Sequence, residues 1–156
     1  WGGTSWASNE GQSDYFGTMK CFRKYIENHD NQSIVEEMDV PTYATKRCQK
    51  NFEHPAEVAM CERAAMAGLS LGTLFHDLRD LDTELKFSTP SDKVVDSTDH
   101  SHPAPQCRVD TYFEASLCQV DHYTDVSDED PTQGVCARVL EFEDGNRPRC
   151  WYKPES

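Results

Sequence analysis

Seven cysteines are the residues of this chain with the clearest chemistry, because thiols can form disulfides, bind metals or act as nucleophiles. The closest two, Cys107 and Cys118, are eleven positions apart, whereas zinc sites use cysteine pairs about two to four residues apart. None of the seven lies in a recognisable catalytic motif. The cysteines therefore predict disulfides, which are typical of secreted proteins in an oxidising compartment.

The odd number of cysteines predicts three disulfides and one remaining thiol. The six residues expected to form disulfides are Cys48, Cys61, Cys107, Cys118, Cys136 and Cys150. A helix break at Glu53 and His54 separates Cys48 from Cys61, so an antiparallel helix pair would bring these two together. Their pairing leaves Cys21 as the odd thiol, either buried or linked to another chain. The connectivity of the other four stays open.

Acidic side chains suggest a second kind of site. The run from Asp121 to Asp130 contains no lysine or arginine, and Asp125, Asp128 and Asp130 offer the oxygen ligands that calcium prefers. The EF-hand pattern fails, because Asp130 stands at the sixth position of the loop, where glycine is required. The run therefore predicts either a calcium loop of another kind or a solvated acidic turn. No other cofactor is expected.

Histidines and one serine raise the question of catalysis. The six histidines include no HExxH pair, so the common zinc-protease motif is absent. Ser70 has the GxSxG spacing of a hydrolase nucleophile, but that motif needs a strand before it, whereas residues 68–72 lie in a helical run. Small residues that permit close helix contact are the better interpretation. A hydrolase would need a site assembled only in the fold, with candidate histidines His54, His76, His100 and His122.

Asn31-Gln32-Ser33 is an N-glycosylation sequon in a turn-rich segment. An exposed turn suits a glycan acceptor. The sequence therefore predicts glycosylation of Asn31 if the protein is made in a eukaryotic secretory pathway.

Helical periodicity dominates the first half of the chain. Apolar residues at three- and four-residue spacing predict helices over about 13–29, 41–52 and 55–75. Residues 76–87 either continue the third helix or form a fourth. Residues 1–12 form an extended segment before this helical domain, which spans 13–87.

One stretch of the third helix is apolar enough to be compared with a membrane span. It runs from Val58 to Phe75 and is interrupted by Glu62 and Arg63. We therefore predict no membrane insertion.

A Ser/Thr/Pro-rich segment, 88–106, reads as a linker to a smaller cysteine-stapled unit, 107–156. Residues 107–118 fit a strand and a helix equally well. Residues 135–142 favour a strand, and Asp144-Gly145 is a hairpin turn signal. The predicted fold class is α+β: an N-terminal three- or four-helix bundle followed by a small disulfide-stapled unit with a β-hairpin.

Charge excludes one class of partner. The formal net charge of −13 repels phosphate backbones, so nucleic-acid binding is not expected. The chain opens on Trp1 without a targeting segment, which suggests a mature product or an excised fragment.

The sequence favours a secreted, acidic, non-catalytic interaction module or a structural subunit of an extracellular assembly. Its partner would be a protein with a cationic surface or another copy of the chain. The alternative is a small secreted hydrolase with a histidine–carboxylate site.

Overall fold

A computed structural model describes residues 9–154 and shows a helical protein. Within this range no strand forms, and the one β-type contact is an isolated bridge between Cys136 and Asn146. The predicted α+β class with its β-hairpin is therefore wrong. The helices are α1 (Glu10–Phe16), a π-helical segment (Gly17–Phe22), α2 (Arg23–Ile26), α3 (Asn31–Glu36), α4 (Thr42–Asn51), α5 (Pro55–Asp77), α6 (Pro105–Leu117) and a 3-10 turn (Arg138–Leu140).

The expected hairpin is absent because tertiary contacts use the groups that a strand ladder would need. Gly145 does form a turn, with a φ of 81°. Its N–H donates to the Glu114 carboxylate at 2.8 Å, and a Cβ there would stand 2.6 Å from the Cα of Cys118. In the segment predicted as a strand, Glu141 is left-handed with a φ of 64°. The turn therefore packs on the end of α6 rather than joining two strands.

The first helix is continuous through its π-helical segment. Asn9 begins it, since the Asn9 side chain accepts a hydrogen bond from the Gln12 N–H at 2.8 Å. Tyr15, Met19 and Ile26 are fully buried along it. Helix formation thus starts before residue 13, and the end of the predicted extended segment is already helical.

Helices α4 and α5 are joined by the Cys48–Cys61 disulfide, the pair that the predicted helix break brings together. Pro55 stands at the start of α5, where a missing N–H costs nothing. After Asp77 the chain forms a turn in which Asp80 is left-handed, with a φ of 51°. Residues 81–86 have no regular structure, so the predicted helix over 76–87 ends early.

The main core draws on both sides of the predicted linker. Its buried members are Ala44, Cys48, Phe52, Cys61, Ala65, Phe87, Val109, Phe113 and Leu117. Gly68 and Gly72 let α6 approach α5 closely, because a Cβ at either position would overlap Tyr112 or Val109. Helix α6 is buried on nearly every side, which explains why its sequence shows no clear period.

The segment 88–104 is irregular but packed. The Val95 N–H donates to the Arg149 carbonyl at 3.0 Å, and the Asp99 N–H donates to the Trp151 carbonyl at 2.7 Å. The Cys107–Cys150 and Cys118–Cys136 disulfides attach the C-terminal segment to the two ends of α6. The expectation of disulfide bonds is confirmed, and three buried disulfides are typical of extracellular proteins.

Helix α5 is the one helix in residues 9–154 that is long and apolar enough to cross a membrane, judged by length and composition. Core helices pass the same test. This helix packs against α3, α4 and α6 and carries the buried Cys61 disulfide.

Candidate functional site

The acidic loop predicted to bind calcium lies at the surface, and a lysine holds its start. Lys20 Nζ donates to the carbonyls of Asp121 and Thr124, each at 2.9 Å. Burial lowers the pKa of Lys20 to about 8. Nowhere in residues 9–154 do three histidine, cysteine, aspartate or glutamate side chains form a metal-ligand group. Calcium binding by Asp125, Asp128 and Asp130 therefore gains no geometric support.

The candidate histidines contact different partners. His122 pairs with Glu27 at 2.8 Å, and His76 lies 3.4 Å from Asp77. His100 contacts Asn9 at 3.2 Å. In the described part of the chain, no histidine lines the groove between the first helix and α5 or the cleft between α6 and the C-terminal segment. The convergence that a histidine–carboxylate hydrolase requires is thus not seen.

The serine of the GxSxG sequence is exposed and helical. Its flanking glycines, Gly68 and Gly72, are buried against α6. This is the close helix contact that the small-residue interpretation predicts.

Asn31 is buried, contrary to the expectation of an exposed glycan acceptor. Its Nδ2 donates to the Ile26 carbonyl, and its Oδ1 accepts from Arg63 Nη1, both at 2.8 Å. A glycan on Nδ2 would have to displace these contacts. In the folded protein this side chain anchors α3 to α5 and to the end of the first helix.

An apolar groove separates the first helix from α5, and we call it the α1–α5 groove. Its volume is ≈ 340 Å³. Its walls include Gly17 and Phe22 of the π-helical segment, Ala64, Ala67 and Leu71 of α5, and Tyr112 of α6.

Missing side chains create this groove. A Cβ built at Gly17 meets no atom within 4 Å, and alanines face it from α5. The π-helical segment begins at the same residue, and such widened turns occur frequently at functional sites. The groove therefore results from small residues that face each other and from the π-helical turn that begins at Gly17.

A closed polar cluster adjoins the groove, and two of its members, Asp14 and Tyr112, line it. Arg108 is buried and donates to the Asp14 carboxylate through Nε and Nη2, both at 2.8 Å. The Tyr112 hydroxyl donates to the same carboxylate at 2.9 Å, and Glu10 binds the remaining end of the guanidinium at 2.8 Å. Burial raises the pKa of Asp14, and Arg108 opposes that shift. Since these groups satisfy one another, the groove offers shape and apolar contact rather than reactive groups.

The groove continues into an exposed apolar strip, which we call the leucine strip. Leu71, Leu74 and Leu78 follow one another at three- and four-residue spacing and are 40 %, 52 % and 72 % exposed. From Ala64 to Phe75 no residue is charged. Apolar residues at this spacing normally face a core, so the strip is a helix face without a cover among residues 9–154.

Cys21 directly precedes the groove residue Phe22 in the sequence. It is exposed and is the cysteine left without a disulfide in the described chain. Its position on the π-helical segment therefore leaves one exposed thiol on the first helix.

No protein-family model, curated protein or solved structure matches the chain. The site must therefore be interpreted from its own chemistry. Sequence reasoning missed the groove and the leucine strip. The uncharged run 64–75 was the available signal, because a helix that is apolar on every side has more than one face to cover.

Proposed function

We propose that the protein is a secreted, non-catalytic interaction module that binds a partner protein through the α1–α5 groove and the leucine strip. The observation that carries this proposal is the continuity of an apolar groove with exposed leucines on a strongly acidic chain. Contiguous apolar surface of this kind marks protein interaction sites. The three buried disulfides support an extracellular setting.

The partner segment is an amphipathic helix with basic residues beside its apolar stripe. Grooves between helices accept such helices through apolar anchors at i, i+3 or i+4, and i+7. The C-terminal end of the leucine strip is acidic: residues 77–84 include Asp77, Asp80, Asp82 and Glu84, with Arg79 as the one arginine or lysine among them. Lysines or arginines on the partner would complement this charge. A second copy of the chain would bring the same net charge of −13 and be repelled.

Two other possibilities are not part of the proposal. Glycosylation of Asn31 conflicts with the buried hydrogen bonds of that side chain. The hydrolase alternative lacks a histidine beside the α1–α5 groove in the described chain.

A pair of synthetic helical peptides tests the proposal by fluorescence anisotropy. Both carry the same leucine stripe, flanked in one peptide by lysines and in the other by glutamates. We expect the lysine peptide to bind and its affinity to fall with added salt, because exposed charges are screened. Leu74→Glu should weaken binding by about tenfold or more, since it places a carboxylate on the apolar surface.

Leu140→Glu is the matched control, because Leu140 is also 52 % exposed but lies in the 3-10 turn. It should leave peptide affinity unchanged. Equal binding of both peptides, or binding that ignores Leu74→Glu, would contradict the proposal. A dimer in light scattering that Leu74→Glu abolishes would instead identify a second copy as the occupant and overturn the cationic partner.

A further inference from the structure

A second cavity lies on another side of α6, and we call it the α6 cleft. Its volume is ≈ 360 Å³, within the range of small-ligand sites. It lies between α6, the irregular segment near residue 91 and the C-terminal segment. Buried Phe87, Asp110, Phe113 and Asn146 line it, and Arg138 and Arg149 line its exposed parts.

Two of the guanidinium groups that line this cleft, those of Arg138 and Arg149, form no direct ion pair in the described chain. Neither Arg138 nor Arg149 forms an ion pair within residues 9–154, although Arg138 Nη1 donates to the Arg147 carbonyl at 2.7 Å. Burial lowers the pKa of Arg138, the neighbouring charge of Arg149 lowers it further, and the Glu114 carboxylate opposes part of this shift. Two like charges placed together on an acidic protein would be relieved by a bound anion. Guanidinium groups match carboxylate geometry well.

Two residues that line the cleft each carry a buried polar atom without a hydrogen bond in the described chain. Asn146 is 3 % exposed, and its Oδ1 has no partner, whereas its Nδ2 donates to the Phe142 carbonyl at 2.7 Å. Arg47 Nε is the second such atom. A buried unsatisfied group costs free energy until something pairs with it. Asn146 Oδ1 needs a hydrogen-bond donor and Arg47 Nε needs an acceptor, and a hydroxyl group can serve as either.

Further acceptors and an apolar wall complete the cleft. Asp110 and Glu114 are one turn apart on α6 and both line it. Asp110 accepts from the Ser91 N–H and from Gln106 Nε2, each at 2.8 Å. Carboxylate oxygens have lone pairs for additional donors. The rings of Phe87 and Phe113 lie 4.4 Å apart between centroids and offer an apolar surface.

We infer that the α6 cleft binds a sugar acid, a hydroxylated ring that carries one carboxylate. The ligand carboxylate would pair with Arg138 and Arg149. Its hydroxyl groups would donate to Asn146 Oδ1 and to the α6 carboxylates, and the C–H face of its ring would lie against the phenylalanines. This site is separate from the proposed protein-binding groove and does not depend on it.

Glucuronate is the probe that tests this inference, with isothermal titration calorimetry as the assay. Glucose lacks the carboxylate, and cyclohexanecarboxylate lacks the hydroxyl groups, so each removes one half of the recognition. We expect glucuronate to bind about tenfold or more tightly than either. Arg149→Gln should weaken glucuronate binding by about tenfold. Arg79→Gln removes the same charge from an exposed turn and should have no effect.

Three results would overturn the inference. Glucuronate that fails to bind the folded wild-type protein removes the site altogether. Equal binding of cyclohexanecarboxylate shows an anion site without recognition of hydroxyl groups. Glucuronate binding that survives Arg149→Gln places any site elsewhere. Because Arg149 is exposed, its variant should keep the wild-type melting temperature, which circular dichroism checks in parallel.

Discussion

Two glycines on opposite walls of the α1–α5 groove should respond in opposite directions to the same added methyl group. Gly68 lies where α5 touches α6, and a Cβ there would stand 2.9 Å from Tyr112 Cγ and closer still to Tyr112 Cβ. Gly17 has helical dihedral angles, φ −55° and ψ −42°, and open space around its Cβ position. Gly68→Ala and Gly17→Ala therefore separate packing from backbone effects.

The expected magnitudes follow from these contacts. Alanine gains about 1 kcal/mol over glycine from helix propensity alone. At Gly68 an overpacking cost of about 1–3 kcal/mol opposes that gain. The cost should reach the upper part of that range, because the methyl meets the rigid stem of Tyr112, whose hydroxyl is tied to Asp14. We expect Gly68→Ala to destabilise by about 1–2 kcal/mol and Gly17→Ala to stabilise by about 0.4–1 kcal/mol.

Urea unfolding followed by far-ultraviolet circular dichroism measures both changes with the disulfides intact. The midpoint should move down for Gly68→Ala and up for Gly17→Ala at an unchanged m-value. If Gly68→Ala proves as stable as the wild type, or more so, the close contact between α5 and α6 is not as described. A Gly17→Ala variant that unfolds more easily would show that the π-helical segment needs glycine.

Two further predictions concern stability. Replacing Cys107 and Cys150 together by serine should lower the free energy of unfolding by about 4 kcal/mol through loop entropy. The same change at Cys48 and Cys61 should lower it by about 3 kcal/mol, because the two disulfides close loops of 43 and 13 positions. Equal losses in urea unfolding would contradict this order. Burial raises the pKa of Asp110 to about 6, so the folded state holds a proton that the unfolded state has already released above about pH 4. The contribution of Asp110 to stability should therefore fall as the pH rises from about 4 to 6. Asp110→Asn should be more stable than the wild type at pH 7 by about 1–2 kcal/mol, which is the desolvation relieved less one hydrogen bond. Melting curves across this pH range test it, and a variant that gains nothing at pH 7 would refute it.

Local pattern was enough for several features of this protein. Four-residue apolar spacing and a proline predicted α4 and α5 with a break between them, and that break brought Cys48 to Cys61. The small residues around Ser70 predicted close helix contact. These features depend on residues near one another in sequence, where the 3.6-residue period and the restrictions of proline act directly.

Long-range contacts decided the rest. Helix α6 is covered on nearly every side, so its sequence carries no one-sided period and fits strand and helix alike. The Asp144-Gly145 turn does not make a hairpin, because Glu114, 31 positions earlier, accepts the Gly145 N–H. Asn31 is buried because Arg63 and the Ile26 carbonyl bind its amide.

Both proposed binding surfaces also arise only in the fold. The groove exists where small residues of α5 face Gly17 across a gap, and the cleft exists where Arg138 and Arg149 return beside α6. A cavity lies between segments that pack against each other, so the sequence of one segment cannot predict it. The sequence by itself establishes that the chain is acidic and rich in cysteine. Tertiary packing determined which polar groups lack hydrogen-bond partners and which apolar groups stay exposed, because residues distant in sequence supply those contacts.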